Sequence, residues 1–161
     1  MAFDAFIKVG DIPGESTDDK HKDWIQILSF NMGAAQPVTV GSGLGGLSGG
    51  GANVADFSFV KKVDKSSPKL FLSCLKGDPI KKVEFECRKS IGDKHVYLKY
   101  TFEDAMISSV RPGGSASGSD DVPLEEVSFA YAKVENVYTP IDQTGKPQGN
   151  ISVKYDLTAN K

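Results

Sequence analysis

The sequence is short of the side chains on which most protein chemistry is built. It has two cysteines, two histidines and one tryptophan in 161 residues. The two cysteines, Cys74 and Cys87, both fall among apolar neighbours, which predicts buried free thiols of a reducing compartment over a disulfide. His21 and His95 lie far apart, and neither has a second histidine or cysteine at ligand spacing, so no metal signature is present. A charge excess is missing too. With 19 basic and 21 acidic residues the net charge is -2, which gives no electrostatic reason to expect nucleic acid or an anionic membrane as partner. No run approaches the ~18 apolar residues of a membrane span. Asp4 and Lys8 interrupt what would be the apolar core of a signal peptide, so the chain is expected to be made and folded in the cytosol, with the usual export route not encoded. Serines are plentiful, but none sits on a strand-to-helix elbow, so the expectation is no enzyme and no cofactor.

What is present is β-structure, one helix and one glycine-rich segment. Phe57 to Val60 alternates as a strand; Ser67-Pro68 then offers an N-cap followed by proline in the first turn, and Gly77 is placed to close a helix over Ser67–Lys76. Leu70, Phe71, Leu72, Cys74 and Leu75 cover most of its circumference, which predicts a buried helix acting as plug or lid of a sheet structure. Strands are expected over Ala2 to Val9, Trp24 to Met32, Val38 to Val40, Lys81 to Lys89, Lys94 to Phe102, Met106 to Val110, Leu124 to Tyr138 and Ile151 to Leu157. The sum is a mainly β chain, an antiparallel barrel of about eight or nine strands with one α-helix, in a single domain over residues 1–161.

Three stretches bear on function. Glu15 to Asp23 is polar and reads as a solvated loop, and Lys82, Glu84, Glu86 and Arg88 read as a mixed-charge ladder pairing in the open. In the strand after Asp23, Trp24, Leu28 and Phe30 lie on one face and Ile25 and Ile27 on the other. A single-layer barrel buries only one face, so Trp24, Ile25 and Ile27 are candidates for contact with a covering layer, either another part of the chain or another subunit. Gly41 to Asn53 contains Gly41-x-Gly43-x-x-Gly46 and Gly46-Leu47-Ser48-Gly49-Gly50, which match a dinucleotide fingerprint and a nucleophile elbow. Both patterns need a helix to begin at once, and a β-type run follows instead. The segment reads as a flexible loop, and Leu44 and Leu47 in it suit docking on a partner better than solvation.

The order of segments resembles the haemolysin-coregulated protein (Hcp) family, the tube-forming subunit of the bacterial type VI secretion system. The resemblance is carried by Ala5 to Ile12 with Gly14-Glu15-Ser16, the strand after His21, and Asp56 to Leu70 with Asp64-Lys65-Ser66-Ser67-Pro68. Val83 to Lys89, Ser108-Ser109-Val110, Val127 to Pro140 and Val153-Lys154-Tyr155 complete it. It implies a homo-hexameric ring that stacks on copies of itself, inside a contractile sheath and behind a spike-tip protein, carrying effector proteins in its lumen. It also implies secretion through that system without a signal peptide. The family counterpart of the glycine-rich loop reaches a neighbouring ring, which makes Gly43, Leu44, Leu47 and Ser48 the ring-stacking candidates. With the sequence ending at Lys161, the resemblance implies a plain tube subunit without a toxin domain. The competing reading is a monomeric ligand-binding β-barrel, which would need an open mouth where this chain places its helix.

Overall fold

A computed structural model describes residues 3–41, 46–49, 51–90, 92–119 and 121–161. Its strands are β1 (Phe3–Val9), β2 (Ile25–Ile27), β3 (Ser29–Ala35), β4 (Val38–Val40), β5 (Leu47–Gly49) and β6 (Asn53–Lys62). After the helix α1 (Ser67–Lys76) come β7 (Pro79–Lys89), β8 (Val96–Gly113), β9 (Leu124–Tyr138) and β10 (Ile151–Asp156). Eight strands form one antiparallel sheet in the order β2-β1-β7-β8-β9-β6-β3, with β10 added beside β9. The sheet curls closed because its two edges are consecutive in the chain. Ile25–Ile27 pair with β1, and from Ser29 the same run pairs with β6. Leu28, at the crossing, donates its amide to the Val60 carbonyl at 2.7 Å.

The pleat sorts residues as the alternation predicts. Ala5, Ile7 and Val9 of β1, Val83, Phe85 and Cys87 of β7, and Phe102 of β8 face a common interior. That interior is aromatic. Phe57 lies at its centre, with the rings of Phe30, Phe59, Phe85, Tyr100, Phe102 and Phe129 at centroid distances from 5.2 to 6.5 Å. Tilted, offset packing of this kind adds to the area term of burial.

Four expectations are corrected here. The runs expected over Lys94 to Phe102 and Met106 to Val110 fall on one 18-residue strand, Val96–Gly113, which stays paired with β9 through a register shift between Ile107 and Ser109. The segment after Val40 is not wholly loop, because Leu47–Gly49 turn back and pair with Val38–Val40 as a hairpin separate from the barrel. The helix is buried on one face only: Leu70 and Ser73 are buried, while Phe71, Leu72 and Leu75 are 50%, 49% and 69% exposed. A helix lying on a curved sheet can bury only the side that touches it, whatever the composition of the other. Ile25 and Ile27 are core residues at 0% and 5% exposure, leaving no side-chain surface for a neighbouring subunit, and Trp24 is half-buried. Their layer of cover comes from within the chain.

Candidate functional site

Two internal clamps set the surfaces that this chain presents. The first holds the start of α1. Lys61 is fully buried, and its Nζ donates to Asp64 Oδ1 at 2.9 Å, Glu125 Oε2 at 2.8 Å, Ser67 Oγ at 3.0 Å and the Lys62 carbonyl at 3.2 Å. Ser67 Oγ donates in turn to Glu125 Oε2 at 2.6 Å and accepts from the Asp64 amide at 3.0 Å. Ser66 occupies the N-cap position but makes no side-chain cap, so the Lys61 network positions this end of the helix. At the other end Gly77 adopts φ 65°, the left-handed conformation that glycine takes without strain, and its amide returns to Ser73 and Cys74.

The second clamp overturns the solvated-loop reading of Glu15 to Asp23 and the open-ladder reading of Arg88. His21 is 1% exposed, stacked on Phe6 at 4.3 Å and met edge-on by Trp24 at 4.9 Å. Its Nδ1 lies 2.9 Å from Asp18 Oδ2 and its Nε2 lies 2.9 Å from Glu86 Oε1. Arg88, 6% exposed, donates to both Asp18 oxygens at 2.6 and 3.0 Å and lies 5.0 Å over the Phe6 ring. The loop folds onto the outer side of β1 and β7 because Phe6 and Arg88 there cannot be left to water. Gly14 closes it: a Cβ at this position would collide with the Trp24 carbonyl. No feature of single-residue polarity marks this. The signal was Phe6, apolar on the outward side of an otherwise alternating strand.

The two hydrogen bonds from Arg88 hold the Asp18 carboxyl far below its ordinary value of 3.8, with His21 adding to the effect against the opposing cost of burial. A carboxylate with a depressed folded-state pKa contributes stability that is present above its unfolded value and lost as pH falls through the folded one. Lowering pH from 5 to 3 should therefore reduce the melting temperature of the native protein more than that of Asp18→Asn, which lacks this titration. Equal acid sensitivity in scanning calorimetry would place the acid-labile group elsewhere.

Outside the clamps, most of the exposed large apolar side chains among the described residues gather in three places, while Phe3, Leu28, Met106 and Val122 are exposed apart from them. On α1, Pro68, Phe71, Leu72 and Leu75 fall within about 100° of arc at 3.6 residues per turn, opposite the face that carries Leu70 and Ser73. Lys69 and Lys76 border that outer stripe. At the far end of β8 and β9, Tyr138, Ile151 and Val153 are 46%, 62% and 63% exposed; Ile151 is the cross-strand partner of Tyr138. On the hairpin, Val38, Val40 and Leu47 are 55%, 79% and 74% exposed, with Val40 opposite Leu47 and Thr39 opposite Ser48. Of the stacking candidates, Leu47 and Ser48 thus sit on β5, and Gly43 and Leu44 lie outside the described residues. A two-stranded hairpin is at best marginally stable alone.

Among the described residues no group of three or more His, Cys, Asp or Glu could hold a metal ion, and no helix is long and apolar enough to cross a membrane. Cys74 and Cys87 are unbonded, and burial raises the pKa of the Cys87 thiol. His95, bordering β8, lies 3.9 Å from Asp93 and remote in sequence from the His21 clamp.

The family model described as "Type VI secretion system effector, Hcp" matches residues 6–138. The chain belongs to the Hcp family of the type VI secretion system. Among relatives, protein hcp1 of Pseudomonas aeruginosa is 38% identical over 156 residues, 96% of this chain and 94% of that protein. Among solved structures, one of a type six secretion system protein superposes with a TM-score of 0.94 at 39% identity, covering 99% of each chain. Hcp1 from Salmonella typhimurium superposes with a TM-score of 0.82 at 35% identity, covering 100% of this chain and 99% of that one. The mainly β fold with its single helix is thus the Hcp fold, and the family is a structural, secreted one.

Proposed function

We propose that this Hcp-family chain is a subunit of a type VI secretion inner tube. Six copies close into a ring, rings stack into a hollow tube inside a contractile sheath and behind a spike-tip protein, and the lumen carries small effector proteins. The chain is made in the cytosol and leaves through that machine. The observation that carries this reading is the distribution of exposed apolar side chains over three separate faces: the outer stripe of α1, the β9–β10 end and the β4–β5 hairpin. A head-to-tail ring needs two different adhesive surfaces on each subunit, and a third is available for stacking. A monomeric ligand-binding barrel would need none of them.

Stacking must be reversible in a tube that comes apart after firing. A short two-stranded hairpin separate from the barrel sheet suits that task, since ordering it against a neighbouring ring costs about 1 kcal/mol or more per residue. Light scattering over a range of concentrations should find a species of six chain masses, together with larger multiples. Deleting Leu44 to Gly50 should leave the six-chain species intact and abolish the multiples. A protein that stays monomeric at high concentration would remove the ring and return the ligand-binding barrel, while a deletion variant that still forms the multiples would clear the hairpin of the stacking role.

A further inference from the structure

The clamp over β1 and β7 needs one more proton than its side chains carry in their ordinary states. Both ring nitrogens of His21 meet carboxylate oxygens, Nδ1 that of Asp18 and Nε2 that of Glu86, each at 2.9 Å. A neutral imidazole has one N–H and one lone pair, so it can donate to only one of them. The other carboxylate would then face the lone pair at hydrogen-bond distance, around a ring that is buried from water. Buried arrangements of that kind are costly, because nothing screens them.

Neither carboxylate is placed to supply the missing proton. Asp18 accepts from both terminal nitrogens of Arg88 and from the Lys20 amide, and these bonds keep its carboxyl ionised. Glu86 is only partly buried, and Lys99 Nζ lies 3.8 Å from its second oxygen. The charges on the surrounding elements agree with this. Among the described residues, those that meet His21 or its partners are Asp18 on the loop, Asp4 on β1, Glu86 and Arg88 on β7, and Lys99 on β8. Asp4, Asp18 and Glu86 against Arg88 and Lys99 leave one negative charge over, which a cationic ring would balance.

We propose that His21 is held as an imidazolium with both N–H groups donating, and that this extra proton latches the 15–23 loop to the barrel. Removing the proton turns Nε2 from a donor into a lone pair facing Glu86, so an attraction becomes a repulsion. The loop then keeps its Arg88 to Asp18 contact but loses its tie through Glu86. The place of the latch gives the proton a reach beyond the loop. Asp23 donates its amide to the Ser16 carbonyl at 2.9 Å, and Ser16 donates to the Trp24 carbonyl at 3.0 Å. Ile25 follows directly as the first residue of β2, the edge at which the sheet closes. A loosened loop therefore loosens the approach to that seam. The inference stands on the clamp alone and does not depend on the ring reading.

The test is a solid-state nuclear magnetic resonance spectrum of the full chain labelled with ¹⁵N-histidine, with His95→Gln leaving His21 as the one imidazole. At about pH 7.5, where an exposed histidine is mostly neutral, both ring nitrogens should carry a proton. Glu86→Gln should return the ring to one protonated nitrogen, since the new amide can donate to the Nε2 lone pair. Trypsin reads the latch, because Lys20 and Lys22 on the loop are exposed. Cleavage after them, scaled to a reference peptide, should rise several-fold once the ring loses its proton at higher pH, and should stay level with pH in Glu86→Gln. A native ring with a single protonated nitrogen at about pH 7.5 would overturn the proposal, and so would a Glu86→Gln ring that keeps both protons. Level cleavage across the loss of the native ring's proton would overturn the latch. If Glu86→Gln fails to fold, the native spectrum and the native cleavage still decide both parts.

Discussion

Replacing Lys61 with alanine should cost about 3–5 kcal/mol, because it leaves the buried carboxylate of Glu125 and the partly buried one of Asp64 without their cation. Intact, the network satisfies itself: the ammonium is surrounded by two carboxylates, a hydroxyl and a carbonyl, and Ser67 returns a hydrogen bond to Glu125. The loss should appear as a lower urea midpoint at fixed protein concentration, since assembly makes apparent stability concentration-dependent. Removing both charges, as in Lys61→Met with Glu125→Leu, should recover part of the loss, because no carboxylate is then stranded at that position. The network also ties the first turn of α1 to β9, so Lys61→Ala should lose ring mass at urea concentrations where the barrel still holds its circular dichroism. Coincident loss of mass and fold would mean that the inner face of the helix, with Leu70, Ser73 and Cys74, holds it without the network.

How far this was legible in the sequence differs between the barrel and its surfaces. Strands with one wet face announce themselves by period two, and Leu124–Tyr138 emerges with the bounds that alternation gives it. The helix bounds were equally plain, from Pro68 in the first turn and Gly77 at the stop. The direction in which the helix spends its apolar residues was not. Phe71 and Leu75 look like core from composition, but only the sheet decides which arc is covered, and that is a property of β8, which starts at Val96, well past the end of the helix at Lys76. Likewise the doubled apolar faces at Trp24 to Phe30 pointed to a covering layer without saying that the chain supplies it. Ile25, Ile27 and Phe30 went inward, Trp24 meets the clamp of His21, Asp18, Glu86 and Arg88 that draws the polar loop down, and Leu28 stays exposed. That clamp joins residues about 65 positions apart in sequence. No local pattern records such a meeting, and charged residues in a polar loop otherwise read as solvated.

The same distinction between interior and surface governs the effect of Phe57→Ala. Phe57 is 0% exposed at the centre of the aromatic interior, and truncating it should cost about 3–5 kcal/mol through lost burial and a cavity that stiff neighbouring strands cannot close. For a chain of this length that is a fall in melting temperature of about 10 °C or more. The denaturant slope should stay unchanged if the variant remains two-state, since the same surface is exposed on unfolding. The ring neighbours of Phe57 are Phe30, Phe59, Phe85, Tyr100, Phe102 and Phe129, all of the interior, so the folded fraction should still assemble to the native mass below its melting point. Here the order of events differs from that for Lys61→Ala: fold and assembly should be lost together, at a lower temperature, because unfolding of the barrel takes the contacts between subunits with it. A Phe57→Ala protein that folds yet stays monomeric at low temperature would mean that core packing reaches through the sheet to set the β10 end or the helix stripe. The two internal perturbations thus separate what holds the barrel from what aims its surfaces.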